Sequence, residues 1–196
     1  MQIQDKQPPA YSQRGHQREC DGSNLEVALL YAEAGIAVFP CFEGGSRAKE
    51  PRTYRGHNDA TTDITKIRNW WKCWPGALIG IPTGPSSGVW VLDVDGIAGL
   101  ASLSELLAKL GLPTVGDLTR IAARTPSGGL HLYFAIRDGQ RPRNRANDIG
   151  AGLDTRGLKE DGTSAGYIIA PGSVLSDGRA YEWVDTVTLT DSGECA

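Results

Sequence analysis

The sequence lacks the apolar segments that would place the chain in a membrane. No apolar run approaches the ~20 residues that a membrane-spanning helix needs. The amino-terminal residues are polar and contain no apolar core of a signal peptide. We therefore expect a cytoplasmic protein with no membrane partner. The chain also contains no Gly-x-x-x-x-Gly-Lys pattern, so the P-loop of helicases and other ATPases is absent from it.

Cysteine is scarce and scattered, which argues against a disulfide framework or a zinc site. The four cysteines are Cys20, Cys41, Cys73 and Cys195, and none forms a Cys-x-x-Cys pair. No histidine lies at the spacing of a zinc finger. The pattern predicts free thiols in a reducing compartment.

The chain also lacks an overall positive charge, because its formal net charge is −3. This excludes a uniformly basic protein, but nucleic acid can still bind to a local basic patch. Two segments are locally basic, 47–55 and 137–145. Both interpretations stay open for each segment: contacts to a nucleic-acid backbone, or solvated loop arginines.

The length of 196 residues fits one domain with tails. We expect a flexible tail over residues 1–22, a catalytic domain over 23–186, and a tail or the start of a linker over 187–196. Helical spacing predicts helices that begin near Ser23, Asp63 and Ile97, and short apolar runs between them predict strands. These elements define an α+β fold with a mixed β-sheet and flanking helices.

Two aspartates stand at the end of an apolar strand, Val89-Trp90-Val91-Leu92-Asp93-Val94-Asp95-Gly96. Residues two apart in a strand point to the same face. Asp93 and Asp95 therefore converge, and two like charges repel unless a cation lies between them. A hard divalent cation with oxygen ligands is the natural occupant.

Two further segments combine glycine with chemically active residues. In Ser127-Gly128-Gly129-Leu130-His131, a glycine turn with open backbone N–H groups precedes a strand that carries a histidine. In Gly152-Leu153-Asp154-Thr155-Arg156-Gly157, an acid and a base lie two residues apart, on the same side of a strand. Taken alone, His131 is more often a packed strand histidine, and Asp154 is more often a turn residue.

Several ordered blocks together resemble one family. From about Leu25 to about Trp183 the chain resembles the primase-polymerase domain of the archaeo-eukaryotic primase superfamily, as found in phage and plasmid replication proteins. The blocks that carry the resemblance are Lys49-Glu50-Pro51, Asp59-Ala60-Thr61-Thr62-Asp63, Trp70-Trp71, Gly80-Ile81-Pro82-Thr83-Gly84, the Asp-Val-Asp strand, Ser-Gly-Gly-Leu-His, Gly-Leu-Asp-Thr-Arg and Gly166-Tyr167-Ile168-Ile169-Ala170-Pro171-Gly172-Ser173. The resemblance adds a recognition-motif-like (RRM-like) catalytic core to the expected fold.

The resemblance implies a role for each candidate residue. Asp93, Asp95 and Asp154 would form a two-metal site for Mg²⁺ or Mn²⁺, and His131 would complete the catalytic set by contacting the phosphates of the incoming nucleotide. Further contacts to the nucleoside triphosphate are expected from a group around the pocket: Ser127, Gly128, Gly129, Arg124, Arg156 and Lys49. Arginine suits bidentate contact with phosphate, whereas lysine acts as a point charge.

The implied activity is that of a DNA primase-polymerase, a template-dependent nucleotidyltransferase that synthesises and extends primers by two-metal phosphoryl transfer. Its partners would be a single-stranded DNA template, NTP or dNTP, and a replicative helicase in cis or in trans, in the cytoplasm of a prokaryote or of a phage-infected host cell. Two alternatives stay open: a catalytically inactive DNA-binding or origin-binding module, and a metal-dependent nuclease.

Overall fold

The computed structural model describes residues 23–184. Within this range the chain forms four α-helices, two short 3-10 helices (Gly45–Arg47 and Gly56–Asp59) and nine strands. The helices are α1 (Asn24–Glu33), α2 (Ile64–Cys73), α3 (Gly96–Leu110) and α4 (Val115–Leu118). The strands are β1 (Phe39–Cys41), β2 (Leu78–Pro82), β3 (Val89–Val94), β4 (Ala122–Arg124), β5 (Leu130–Ala135), β6 (Arg145–Gly150), β7 (Leu153–Arg156), β8 (Tyr167–Ile169) and β9 (Glu182–Val184).

The expected tails over 1–22 and 187–196 lie outside the described residues, as do Cys20 and Cys195. Of the other two cysteines, Cys41 is buried, Cys73 is exposed, and both are free thiols. None of the helices between residues 23 and 184 combines the length and the apolar character needed to cross a bilayer.

The strands form two sheets. One has three strands in the order β1-β2-β8, and the other has six in the order β6-β7-β3-β5-β4-β9. Every pair of neighbouring strands in either sheet is antiparallel. The expected α+β class is confirmed, but the strands divide into two antiparallel sheets rather than one mixed sheet, because a strand's pairing partner is not encoded in its own apolar pattern.

The helices begin where their capping residues indicate. The Ser23 hydroxyl accepts a hydrogen bond from the backbone N–H of Glu26, and the Asp63 carboxylate accepts bonds from Thr65 and Lys66. These side chains satisfy backbone donors that have no partner inside the helix. Helix α3 ends at Gly111, whose φ of 67° suits glycine.

Side chains that alternate between the two faces of β3 contribute to two separate hydrophobic cores. Leu92 and Val94 face α3 and α4, whereas Val91 faces the opposite side and joins the core around α1, α2 and β2. Trp71 belongs to that second core, only 2% exposed, and its indole N–H donates to the Ala77 carbonyl. Trp71 is therefore a core residue.

Part of the segment 137–151, which sequence pattern predicts to be a loop, forms the edge strand β6. All its residues but one are exposed, so no apolar alternation marks it. Its register with β7 is interrupted by a bulge, and Asn147 within it has a φ of 55°. An irregular polar edge strand of this kind blunts pairing with other chains and leaves little signal in the sequence.

Candidate active site

Three neighbouring strands bring the predicted residues into one row. Asp93 on β3 lies directly opposite His131 on β5 and directly opposite Asp154 on β7. Residues that face each other across antiparallel strands share a face of the sheet, so the three side chains lie side by side. Arg156, two residues beyond Asp154, is on the same face and pairs with Val91. The six-stranded sheet therefore places Asp154, Arg156 and His131 around Asp93.

Asp95 follows the end of β3 and occupies the capping position of α3 with an extended backbone. Its side chain makes no capping hydrogen bond to that helix. It is exposed and turns instead into the same pocket as Asp93. The convergence expected for Asp93 and Asp95 is thus present, although Asp95 lies just past the strand.

A pocket of about 280 Å³ opens where the two sheets meet. Six of the residues predicted from the sequence line it: Lys49, Asp93, Asp95, Ser127, His131 and Arg156. Asp154, Arg124, Gly128 and Gly129 do not line the pocket itself. Asp154 is connected to it through Arg156, whereas Gly128 and Gly129 belong to the turn that carries Ser127.

Arg156 lies between two carboxylates. Its Nη2 is 3.2 Å from Asp93 Oδ2 and 3.0 Å from Asp154 Oδ2. The other oxygen of Asp154, Oδ1, accepts a hydrogen bond of 2.9 Å from the backbone N–H of Asn147 on the edge strand. Both oxygens of Asp154 are therefore engaged in this arrangement.

The two acids in the pocket have opposite pKa shifts. Burial disfavours the charged form of Asp93, but the hydrogen bond and charge of His131 and the charge of Arg156 outweigh it, so the pKa of Asp93 lies below its usual value. Burial, with the negative charges of Asp93 and Asp154, raises the pKa of Asp95. Of the two acids in the pocket, Asp95 is therefore the one whose negative charge is less compensated by its surroundings.

His131 lies on the pocket floor and is only 5% exposed. Its Nε2 is 3.4 Å from Asp93 Oδ1. Its Nδ1 is buried without a hydrogen-bond partner among residues 23–184. The Tyr181 ring lies 5.5 Å from the imidazole, centroid to centroid. His131 is thus packed like a core histidine, but it faces the pocket.

The turn before His131 is closed by its own hydrogen bonds. The N–H of Gly128 donates to the Thr125 carbonyl, and the N–H of Gly129 donates to the Thr125 hydroxyl. These N–H groups are therefore used inside the turn, contrary to the open N–H groups expected from the sequence. The contact of this turn with phosphate stays a prediction, and it now depends on the hydroxyl of Ser127, which is exposed and lines the pocket.

The segment 42–59 presents Lys49 to the pocket. The three arginines of this segment are each paired with a carboxylate of the same segment: Arg47 with Glu50, Arg52 with Glu43 and Arg55 with Asp59. Lys49 has no carboxylate within 4.0 Å in the part of the chain that the structure describes. Its Nζ lies 5.8 Å from the centre of the Tyr181 ring.

The backbone of Lys49 is strained, because its φ is 72°, a conformation that residues other than glycine rarely adopt. Two hydrogen bonds hold it: the N–H of Lys49 donates to the Phe42 carbonyl, and the Tyr167 hydroxyl donates to the Lys49 carbonyl. Strain that the surroundings maintain in this way is concentrated at functional sites.

Sequence reasoning missed some of the lining. Thr125, Tyr181, Ile168 and Ile169 line the pocket, and Tyr167 lines it as well. Tyr167, Ile168 and Ile169 had a signal, since they lie in one block of the family resemblance, whereas Thr125 and Tyr181 lie in none of the blocks. Tyr181 lies 50 residues from His131 in sequence, and only the folded chain brings the two together.

The donor set fits a hard divalent cation, which prefers carboxylate oxygens. Asp93 and Asp95 line the same pocket, and Asp154 lies next to Asp93 in the row. As arranged in residues 23–184, no three His, Cys, Asp or Glu side chains form a group that could hold a metal ion. Arg156 lies between Asp93 and Asp154 in this arrangement.

The two-sheet α+β architecture is consistent with a catalytic core of the archaeo-eukaryotic primase type. Residues 28–195 match the Prim-Pol family, described as "Bifunctional DNA primase/polymerase, N-terminal", and the chain belongs to this family. A search of curated proteins returned no match. Family membership indicates an enzyme of the nucleotidyltransferase type that acts on DNA and nucleotides and is typically metal-dependent.

Proposed function

We propose that the chain is a DNA primase-polymerase that synthesises and extends primers on a single-stranded DNA template. The observation that carries the proposal is the row on the second sheet, in which Asp93 lies between His131 and Asp154 at the edge of a pocket shared with Asp95. Phosphoryl transfer needs positioning and charge stabilisation more than covalent chemistry, and a pocket of this composition supplies both.

The metal would be Mg²⁺ or Mn²⁺, held by Asp93, Asp95 and Asp154. When bound, such ions neutralise the developing charge on the attacking and leaving oxygens. The contact between Asp93 and His131 holds Asp93 in a fixed position, because the Asp93 side chain is only 13% exposed and the His131 side chain only 6%. Rigid strands position a site more accurately than loops do.

The triphosphate would be held by the cationic side of the same pocket. Lys49 projects from the segment 42–59 without a competing carboxylate, and Ser127 adds a hydroxyl that lies 3.0 Å from the Thr125 hydroxyl. His131 would donate a hydrogen bond to a phosphate oxygen from the pocket floor. These groups lie on different elements, so the triphosphate would be gripped from more than one side.

The test is primer synthesis on a single-stranded template with labelled nucleotides and Mn²⁺. Asp93→Asn keeps the size of the side chain but removes its charge, and we expect a loss of more than ~10²-fold, since a metal contributes several kcal/mol to such reactions. Asp148→Asn on the exposed edge strand is the matched control and should retain synthesis. Undiminished synthesis by Asp93→Asn would contradict the proposed site.

The same preparation separates the alternatives. A metal-dependent nuclease would degrade the template with Mg²⁺ in the absence of nucleotides, and an inactive DNA-binding module would bind the template but not the nucleotide. The cytoplasmic location remains a prediction from the sequence, and the helicase partner, in cis or in trans, remains a prediction from the resemblance.

A further inference from the structure

The ion pairs of Arg156 are longer than the shortest ones in residues 23–184, and about as long as those of Arg143 and Arg145. Its three contacts to carboxylate oxygens measure 3.0, 3.2 and 3.4 Å. By contrast, Arg52 approaches Glu43 at 2.6 Å and Arg179 approaches Asp177 at 2.7 Å. Charge-assisted N–H···O bonds are usually about 2.7–2.9 Å long. Arg156 thus neutralises two acids without binding either in the closest geometry.

The side chain of Arg156 has access to solvent that the acids lack. It is 32% exposed, whereas Asp93 and Asp154 are 13% and 14% exposed. Arg156 also lines the pocket. A long side chain in this position can turn from the acids towards the pocket without unfolding any element, because only its own rotamers need to change.

The oxygens that Arg156 occupies are those that a cation would need. Asp154 Oδ1 is already engaged by the Asn147 N–H, so Oδ2, which Arg156 contacts, is the oxygen left for a metal. On Asp93, Arg156 contacts Oδ2 while His131 lies next to Oδ1. The guanidinium and a divalent cation therefore compete for the same place between β3 and β7.

We propose that Arg156 exchanges partners when the enzyme binds its substrates. Without metal it neutralises Asp93 and Asp154. Divalent cations displace it from both carboxylates, and the released guanidinium then binds a phosphate of the nucleotide in the pocket. This inference rests on the proposed function, and it makes metal binding and nucleotide binding favour each other through one residue. Such coupling is reciprocal: each ligand raises the affinity for the other by the same factor.

The first arm of the test measures metal binding alone. Mn²⁺ is titrated into the wild-type protein, Arg156→Gln and the control Arg55→Gln without nucleotide, and free Mn²⁺ is followed by electron paramagnetic resonance. Arg55 pairs with Asp59, so the control loses the same charge and the same kind of ion pair outside the pocket. We expect Arg156→Gln to bind Mn²⁺ about tenfold more tightly, which corresponds to about 1.4 kcal/mol, and the control to match the wild type.

The second arm measures a non-hydrolysable nucleoside triphosphate by calorimetry with saturating Mn²⁺. We expect the affinity of Arg156→Gln to fall about tenfold, while that of the control Arg55→Gln stays unchanged. The two ligands should therefore respond to the same substitution in opposite directions. A purely structural role for Arg156 would weaken both or neither.

Each outcome discriminates. If Arg156→Gln binds Mn²⁺ no more tightly than the wild type, the exchange is wrong, while the metal site itself stands. If neither the wild type nor Arg156→Gln binds Mn²⁺ even in the presence of nucleotide, the proposed function is wrong, and so is the exchange. Should Arg156→Gln not fold, Arg156→Lys replaces it: lysine keeps the charge but loses the planar fork. We then expect a smaller tightening of Mn²⁺ binding, and unchanged binding would again overturn the exchange.

Discussion

Lys49→Gly should stabilise the protein and impair its function at the same time. The left-handed backbone at Lys49, with a φ of 72°, costs a residue with a Cβ roughly 1–2 kcal/mol. Glycine removes this cost but adds about 0.4–1 kcal/mol of entropy to the unfolded chain. The net gain in the free energy of unfolding should be about 0.5–1 kcal/mol, or roughly 1–4 °C in Tm for a domain of this size.

The same substitution removes one of the cationic side chains that line the pocket. If Lys49 binds the triphosphate, removing one charge-assisted hydrogen bond costs roughly 1.5–3 kcal/mol, which weakens nucleotide affinity about 10- to 100-fold. Lys49→Ala is the matched control, since it removes the charge but keeps the strained conformation. Both variants should therefore lose nucleotide affinity equally, whereas only Lys49→Gly should gain stability.

Thermal unfolding and calorimetric titration of nucleotide measure the two effects separately. Equal Tm values for Lys49→Gly and Lys49→Ala would show that the backbone at residue 49 is not strained. Unchanged nucleotide affinity in both would refute the role of Lys49 in the pocket and leave it a surface lysine.

Three further outcomes follow from the site. His131→Ala should weaken nucleotide binding by about one to two orders of magnitude, from one charge-assisted hydrogen bond, and leave template binding unchanged; equal nucleotide affinity would make His131 a core residue only. Gly129→Ala should lower the free energy of unfolding by about 1–3 kcal/mol, because the new Cβ meets the Val94 carbonyl. Gly128→Ala, with open space around the new Cβ, should lower it only by the roughly 1–2 kcal/mol that a left-handed backbone costs alanine. Urea unfolding measures both, and an unchanged free energy of unfolding for Gly129→Ala would refute the close packing. Neutralising the exposed arginines Arg141, Arg143 and Arg145 should weaken the salt dependence of single-strand binding. The slope of log affinity against log salt concentration should fall by roughly 0.7 for each phosphate that the protein no longer binds. An unchanged slope would mean that these three arginines are solvated loop residues.

Three of the predicted site residues that line the pocket each lie in a short local pattern of the sequence. Asp93 lies near the end of an apolar strand, Asp95 follows that strand, and His131 follows a glycine turn, so period-two alternation suffices to predict the face on which each lies. The register that puts Asp93 opposite both His131 and Asp154 is a long-range property. It depends on the pairing of strands that lie far apart in the chain, which local propensity does not specify.

The electrostatics of the acids could not be obtained from spacing. Two carboxylates two residues apart predict mutual repulsion, and removing one would then relieve the metal-free protein. In the structure Asp93 is compensated by Arg156 and lies beside His131, so its pKa is lowered rather than raised. Removing Asp93 would leave Arg156 paired with Asp154 alone, and it would leave His131 without a carboxylate beside its Nε2. The repulsion between carboxylates is visible in the raised pKa of Asp95.

The pocket draws on both sheets, and this arrangement connects its chemistry to the whole domain. Asp93, His131 and Arg156 come from the six-stranded sheet, whereas Tyr167 belongs to the three-stranded sheet and Lys49 lies in the segment after β1. The Tyr167 hydroxyl, bonded to the Lys49 carbonyl, fixes the position of Lys49 relative to β8. A triphosphate held between Lys49 and Arg156 would therefore connect the six-stranded sheet with the segment that follows β1. Any ligand that binds only the folded state stabilises it by mass action, and here the stabilisation would act across the junction between the two sheets.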